Sequence, residues 1–308
     1  MKKILLTFTL ALTLLTTSAL AQNDLFNKGL QQFDAKQYDQ AAQTFSQVIA
    51  QQPSFYQAHF NLGLCQYNLR QYDLSIASFQ RSVSIKPDYA RANYWLGNAL
   101  AALNRHQEAI GWYVKTLQYE PQNVNVPYRL GLAYAGVKKY PEAVDSFKKA
   151  LVYKPTDTAS KVELGNAYVS LKQFPDAIKL FNEVVAVEPN SYGANSGLGN
   201  AYYNDKRYVE SIPYYKKASE LFPTSAVAKQ YLADAYLNSR QYALAIPVYQ
   251  ESIRLDKNRV DSHYGLGLTY VNLKNKALAQ QSLAEVRRLD GTKADALQAT
   301  MNRLLPAQ

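Results

Sequence analysis

The chain has 308 residues, 47% hydrophobic and 19% charged, with 34 Lys and Arg against 24 Asp and Glu for a net charge of +10. The basic pairs Lys138-Lys139, Lys148-Lys149, Lys216-Lys217 and Arg287-Arg288 are scattered among acids. They read as solvated helix faces, not as the run or stripe of a nucleic-acid binder. One cysteine, Cys65, excludes an internal disulfide, and three histidines leave little for a metal site or an acid–base centre.

Met1-Lys2-Lys3 leads into an apolar stretch from Ile4 to Leu15, and Ala19-Leu20-Ala21 stands just before Gln22. A positive start, an apolar core and small residues at a cut site are the three parts of a secretory signal. Cleavage after Ala21 is expected to remove residues 1–21, and with them Lys2 and Lys3, so the net charge falls from +10 to +8. The alternative, a membrane anchor, needs about 20 apolar residues, and this core is shorter and broken by threonines. Cys65 lies too far downstream to carry a lipid at the cut site. The sequence therefore predicts a soluble mature chain in the periplasm or outside the cell.

From Asp24 onward one pattern repeats every 34 residues. Glycine recurs at Gly29, Gly63, Gly97, Gly131, Gly165, Gly199 and Gly267, with Ala233 in the one remaining place. Leucine precedes it from Leu62 to Leu266. Twelve residues on comes a small side chain (Ala41, Ser75, Ala109, Ala143, Ala177, Ser211, Ala245, Ala279), and four further a ring or its substitute: Phe45, Phe79, Tyr113, Phe147, Phe181, Tyr215, Tyr249, Leu283. Proline closes six units, from Pro53 to Pro223, and Lys257 and Gly291 take its place in the last two.

Apolar positions three, four and seven apart, as in Leu164, Tyr168, Leu171 and again in Ala177, Phe181, Val184, predict two amphipathic helices per unit. The glycine and the small residue fit where these helices cross, and the ring fills the remaining volume. The turn is placed near Leu171-Lys172-Gln173-Phe174. Pro141 and Pro175 suit the first turn of a second helix, while Pro213 and Pro247 lie four positions deeper, where a bend is expected. The resulting units are 22–55, 56–89, 90–123, 124–157, 158–191, 192–225, 226–259 and 260–293, followed by a capping helix over 294–308. That helix is expected to start around Thr292 and Asp295 and to present Leu297, Met301, Leu304 and Leu305 as one stripe.

Leu-Gly, then tyrosine (Tyr134, Tyr168, Tyr202, Tyr236, Tyr270), then an aromatic before the small residue (Tyr38, Tyr72, Tyr140, Phe174, Tyr208, Tyr242), then the ring and the proline, resembles the tetratricopeptide repeat in order and spacing. The resemblance covers residues 22–293. It departs at both ends, where Lys28, Gln32, Lys276, Leu283 and Gly291 replace family residues, as terminal repeats do. It implies an all-α fold, an α-solenoid of eight hairpins wound as a right-handed superhelix of about one turn, with the first helix of every unit lining a concave groove.

On that implication two rows become candidate binding residues. Phe26, Phe60, Tyr94 and Tyr128 stand three residues before the glycine in four consecutive units, followed by Val162, Ser196, Gln230 and Tyr264. Exposed rings would suit an extended peptide or the face of a sugar; packing between neighbouring helices is the other reading. Asn98, Asn166, Asn200 and Asp234 stand one residue after the glycine position, where an amide can pair with a peptide backbone or simply be solvated. The row resembles the asparagine ladder of O-GlcNAc transferases, broken here by Leu132 and flanked by Leu30, Leu64 and Leu268. The family's carboxylate clamp is not carried over, because Arg91 and Arg129 do not complete its set.

No catalytic constellation is found. His59 and His263 occupy equivalent places far apart in the array, His106 stands where other units carry tyrosine, and Cys65 takes a place held elsewhere by alanine. Neither an enzyme nor a cofactor nor a metal is expected. The leading expectation is a scaffold that holds a peptide or protein partner, in envelope assembly or secretion. A carbohydrate-binding module of a polysaccharide export or cell-wall system, and the non-catalytic arm of a transferase complex, are the alternatives.

Overall fold

The computed structural model describes residues 24–305. The expected signal segment, 1–21, and the last residues of the expected cap, 306–308, lie outside the described residues. Among the described residues the chain is all-α, and its helices divide between two compact units that meet in sequence at Pro155 and Thr156.

The first unit is four stacked hairpins. Helix α1 (24–34) pairs with α2 (Tyr38–Gln51), α3 (Tyr56–Asn68) with α4 (Tyr72–Ile85), α5 (Ala90–Ala102) with α6 (His106–Tyr119), and α7 (Val126–Gly136) with α8 (Tyr140–Tyr153). The second unit has α9 (Thr158–Ser170) with α10 (Phe174–Val187), α11 (Tyr192–Asn204) with α12 (Tyr208–Leu221), α13 (Ala226–Asn238) with α14 (Tyr242–Leu255), α15 (Val260–Asn272) with α16 (Lys276–Leu289), and a closing α17 (Gly291–Leu304). Each is a solenoid in which a hairpin buries its apolar face against its neighbours, as a lone hairpin cannot.

The crossing residues do what their size predicts. All eight small residues from Ala41 to Ala279 are wholly buried. A Cβ added to Gly29, Gly63, Gly97, Gly131, Gly165 or Gly199 would stand 2.5–2.7 Å from the ring of its own hairpin, Phe45, Phe79, Tyr113, Phe147, Phe181 or Tyr215. The missing side chain is thus the space the ring occupies. In the seventh hairpin Ala233 fills that space, and the clearance moves to Gly265 of the next first helix, where a Cβ would meet Tyr249 at 2.4 Å. In the eighth hairpin the ring is replaced by Leu283, and Leu297 of α17 closes on Gly267.

Helix ends follow local chemistry. Asp157, Ser191 and Ser225 cap α9, α11 and α13, each accepting from the N–H three residues on. Pro127, Pro141 and Pro175 sit in first turns, where an N–H has no intrahelical partner. Each hairpin turns through one residue in the left-handed region, Lys36, Arg70, Asn104, Lys138, Lys172, Lys206, Arg240 and Lys274, with φ between 58° and 64°. The next N–H then returns to a carbonyl of the preceding helix, as Gln71 does to Gln66 at 2.8 Å and Gln173 to Tyr168 at 2.8 Å. None of the eight is glycine, and seven are cationic and exposed at the negative end of the first helix's dipole.

The helix runs unbroken through Pro213 and Pro247. Two sequence expectations at the cap need adjusting. The start of α17 is set by Asp290, whose carboxylate accepts from the Lys293 N–H at 3.0 Å, and not by Thr292 or Asp295. Asp290 is extended and also ends α16, so one residue serves both helices and α17 begins at Gly291, ahead of the expected 294.

Candidate functional site: two equivalent clefts

The aromatic row turns inward. Phe60 is 1% exposed, wedged against Phe79 and Tyr89 with ring centroids 5.8 and 5.2 Å away, so it is not available to a ligand. Phe26 is half-buried against Phe45 and Phe55, Tyr94 packs on Tyr113 and Trp95, and Tyr128 packs on Phe147. Each ring leans on the crossing ring of its own hairpin, because three residues before the glycine points to the same side of the helix as the glycine itself.

The amide row is paired from within. Tyr113 donates its hydroxyl to Asn98 Oδ1 at 2.8 Å, Tyr215 to Asn200 Oδ1 at 2.8 Å, and Tyr249 to Asp234 Oδ1 at 2.5 Å. The separation is fifteen residues each time. Where the crossing ring is Phe, the facing residue is leucine in three hairpins: Leu30 with Phe45, Leu64 with Phe79, Leu132 with Phe147. A buried phenol needs an acceptor and a phenyl ring does not. Asn166 faces Phe181, has no hydroxyl to accept, and is exposed beside Glu163. The row is therefore a property of the core before it is a property of any ligand, and Asn98, 6% exposed, is largely sealed.

Two clefts open beside these pairs, one in each unit. The first, of about 220 Å³, lies between α5 and α7 and is bounded by Tyr67, Asn98, Ala101, Tyr113, Arg129 and Leu132, with His106 at its floor. The second, of about 330 Å³, lies between α11 and α13 and is bounded by Val169, Asn200, Tyr203, Tyr215, Tyr231 and Asp234. Every residue of the second stands 102 positions, three repeats of 34, after its counterpart in the first. Both clefts sit at an Asn–Tyr pair because the amide leaves a polar notch where leucine would fill the gap.

The clefts share the Asn–Tyr pair and differ at their other paired addresses, with Tyr67 in the first where the second has Val169 and Ala102 where it has Asn204. Arg129 stands where the second has Tyr231, Leu132 where it has Asp234, and Ala101 where it has Tyr203. In the first, Arg129 is hydrogen-bonded to Tyr94, with the phenols of Tyr113 and Tyr67 near the same guanidinium. Gly136 packs so closely on His106 that a Cβ would stand 2.6 Å from its ring, and the Nδ1 of His106 is buried without a hydrogen-bond partner. In the second, burial raises the Asp234 pKa, and Asp261 adds to the rise against hydrogen bonds from Tyr249 and Gln230 and the charge of Arg259. Asp234 and Asn98 thus belong to clefts, Asn200 to the second cleft, and Asn166, Phe26, Phe60 and Tyr128 to neither. Sequence reasoning missed Arg129, Tyr203 and Tyr231 as cleft residues; the fifteen-residue co-occurrence of Asn or Asp with Tyr was the available signal.

The remaining polar candidates are structural. His59 and His263 hold the carbonyls of Pro53 and Lys257 through Nε2 at 2.9 and 3.1 Å, and Asn93 and Asn195 do the same for Pro87 and Pro189 from equivalent places. This bond ties a first helix to the end of the preceding hairpin. Burial pushes the Cys65 thiol up to about 12, far from a nucleophile's range. No group of metal-ligating side chains occurs among the described residues, and no described helix is long and apolar enough to cross a membrane.

Stacked two-helix hairpins in strict 34-residue phase, with glycine, small residue and ring at each crossing, define a helical-hairpin repeat protein. Profiles of the tetratricopeptide repeat match residues 26–90, 162–226 and 232–308, and a further profile of the same repeat matches 90–123. The chain belongs to the tetratricopeptide repeat family. Among solved structures it is similar to a tetratricopeptide repeat protein from Parabacteroides merdae, at 16% identity and TM-score 0.63 over 80% of this chain and 99% of that one. It is also similar to YrrB, described as having an unusual peptide-binding site, at 18% identity and TM-score 0.54 over 61% of this chain and 96% of that one. MamA follows at 20% and 0.51 over 54% and 91%. No curated protein sequence matches the chain significantly.

Proposed function

We propose that this protein is an interaction scaffold that receives an extended peptide or protein segment in the clefts between neighbouring first helices. The observation that carries the proposal is the pair of equivalent clefts, each lined by phenols and an amide and each given one charged residue of opposite sign, Arg129 or Asp234. Phenols and amides offer contact area and adaptable hydrogen bonds at small entropic cost, the composition used for polypeptide recognition. YrrB, with its peptide-binding site, offers a parallel for such a fold. The carbohydrate reading drew on the row from Phe26 to Tyr128, whose rings are turned to the core, so the peptide reading is preferred.

The location proposed with it is the periplasm or the exterior, on the strength of the N-terminal segment ending at Ala21, with a role in envelope assembly or secretion. Cell fractionation and N-terminal sequencing test it: a mature chain beginning at Gln22 outside the cytoplasm supports it, and an intact Met1 in the cytoplasm refutes it.

For the binding role, a photo-crosslinking residue placed at Arg129 or at Tyr231 should capture a discrete partner in intact cells. One placed at Val152, which is 77% exposed on a second helix, serves as the control. Equal capture of the same proteins from Val152 would sink the cleft as the binding site.

A further inference from the structure

The second cleft contains a carboxylate, Asp234, with no cation in direct contact. Asp234 accepts from Tyr249 at Oδ1 and from Gln230 Nε2 at Oδ2, 3.1 Å away. An ionised carboxylate has about four acceptor positions, so two hydrogen bonds leave it half satisfied. Among the described residues no Lys or Arg lies at salt-bridge distance from it. The nearest candidate, Arg259, is turned to Gln230 Oε1 at 2.7 Å, and the amide stands between the two charges. Lys293 is engaged with Asp261.

Beside this carboxylate stand two rings at addresses where the first cleft has Ala101 and Arg129, while Val169 takes the place of the first cleft's Tyr67. Tyr203 and Tyr231 both pack on Tyr215, with centroids 6.2 and 5.7 Å away, and Tyr231 keeps 37% of its surface exposed. Tyr203 is held in place by Asn238, which donates to its hydroxyl at 2.8 Å. A carboxylate flanked by ring faces in a partly desolvated recess attracts an organic cation, which loses less hydration than a metal ion and gains from the rings as well as the charge.

The first unit shows what fits such a place. There the chain's own Arg129 issues from the address of Tyr231 and puts its guanidinium among Tyr94, Tyr113 and Tyr67, while Leu132 replaces the acid. One cleft brings its own cation among the rings; in the other, Arg259 reaches the acid only through Gln230, and no cation of the chain lies between Tyr203 and Tyr231.

We propose that the cleft between α11 and α13 is a subsite for a single lysine or arginine side chain of the bound partner, seated against Asp234 between Tyr203 and Tyr231. This rests on the peptide-scaffold reading above and sharpens it. A polycationic partner is disfavoured by the chain's own net charge of +10. A single cation is not, since repulsion from exposed charges is largely screened beyond about 8–10 Å at physiological salt.

The test uses the full mature chain and ligand-observed NMR with capped pentapeptides, Gly-Gly-X-Gly-Gly, where X is lysine, arginine, norleucine or citrulline. Free butylammonium and methylguanidinium are run beside them. The lysine and arginine peptides should bind and the two neutral peptides should not. Asp234→Asn should weaken binding roughly tenfold to a hundredfold, the range for losing a hydrogen bond to a charged group. That variant keeps an acceptor for Tyr249, the arrangement already present at Asn98 with Tyr113 and Asn200 with Tyr215, so the fold is retained. Val152→Ala, on an exposed stretch of α8 in the other unit, should leave binding unchanged.

Norleucine or citrulline peptides that bind as well as lysine, or an Asp234→Asn variant of full affinity, would overturn the cation subsite while leaving the scaffold reading standing. If the free cations bind but no peptide does, the cleft recognises small amines, and both the partner side chain and the peptide reading fall. Failure of every cationic probe to bind overturns the subsite.

Discussion

Replacing Tyr113 by Phe removes one oxygen from the core and exposes the logic of the amide row. The hydroxyl donates to Asn98 Oδ1 at 2.8 Å, and the two residues are 1% and 6% exposed, so the cleft beside them gives water little access to the place of the lost donor. A buried acceptor left unpaired costs about 1–3 kcal/mol. Asn98→Leu strands the phenol instead and should cost a similar amount. The double variant, Tyr113→Phe with Asn98→Leu, strands nothing and recreates the Leu–Phe pairing already present at Leu30 with Phe45, Leu64 with Phe79 and Leu132 with Phe147. It should return to within about 1 kcal/mol of the starting protein, as volume-conserving core changes do. The single losses sum to about 2–6 kcal/mol, so the coupling energy is at least about 1 kcal/mol, above the few tenths expected for independent sites. Urea unfolding followed by circular dichroism reads the total. Hydrogen exchange in α5 and α6 reads the local loss, since repeat arrays can open hairpin by hairpin. Additive single effects would refute the reasoning, because they would mean that Asn98 and Tyr113 do not depend on each other.

Gly165→Ala should destabilise by about 1–3 kcal/mol, the usual cost of overpacking. Its Cβ would meet Phe181 at 2.6 Å, and a Cβ on Gly197 would stand 2.4 Å from the same ring, so the ring occupies the space of both missing side chains; an unchanged urea midpoint would show that the hairpin can spread. Asp234→Asn should stabilise the protein at pH 7 and lose that advantage in acid. Burial raises the Asp234 pKa in the folded state, so as pH climbs from the unfolded carboxylate value, about 3.9, the unfolded chain ionises first and folding becomes less favourable. The asparagine has no such cost. The difference in unfolding midpoint between variant and parent should therefore be positive at pH 7 and shrink toward zero below the unfolded value, and a pH-independent difference would rule this out.

The fold was legible because its determinants are local and repeated. Phase fixed the hairpins, the amphipathic spacing fixed the helices, and the glycine, small residue and ring marked the crossing. Two things were not legible from periodicity. One is the orientation of the residue after the glycine, which looks like a polar surface position but faces the crossing ring of its own hairpin. Its identity follows the ring in six hairpins, Asn or Asp with Tyr113, Tyr215 and Tyr249, and Leu with Phe45, Phe79 and Phe147, while Asn166 beside Phe181 departs from the pairing. The other is the turn, where left-handed residues such as Lys172 and Arg240 carry no glycine to advertise them. Phe60 and Tyr94 share a row but not a fate: Phe60 is closed over by Tyr89, the residue that leads into α5, while Tyr94 keeps a hydroxyl for Arg129.

The same exchange that satisfies the core also makes room for recognition. A Leu–Phe hairpin fills its crossing with hydrocarbon. An Asn–Tyr hairpin satisfies the phenol but leaves a polar notch beside the amide, and the clefts open at two such hairpins, around Asn98 and Asn200. Tyr249 takes the alternative acceptor, Asp234, and this brings a carboxylate to the wall of the cleft next to Asn200. Its glycine place is held by Ala233, so room for the ring comes from Gly265 on the following helix. A charge that the core can tolerate is thereby set where a ligand can reach it. In a repeat array the backbone offers every hairpin the same addresses, so binding chemistry is written at those addresses where more than one side-chain pair satisfies the packing. The pair at residues 234 and 249 uses that freedom most, which is why one substitution, Asp234→Asn, should raise stability and remove recognition together.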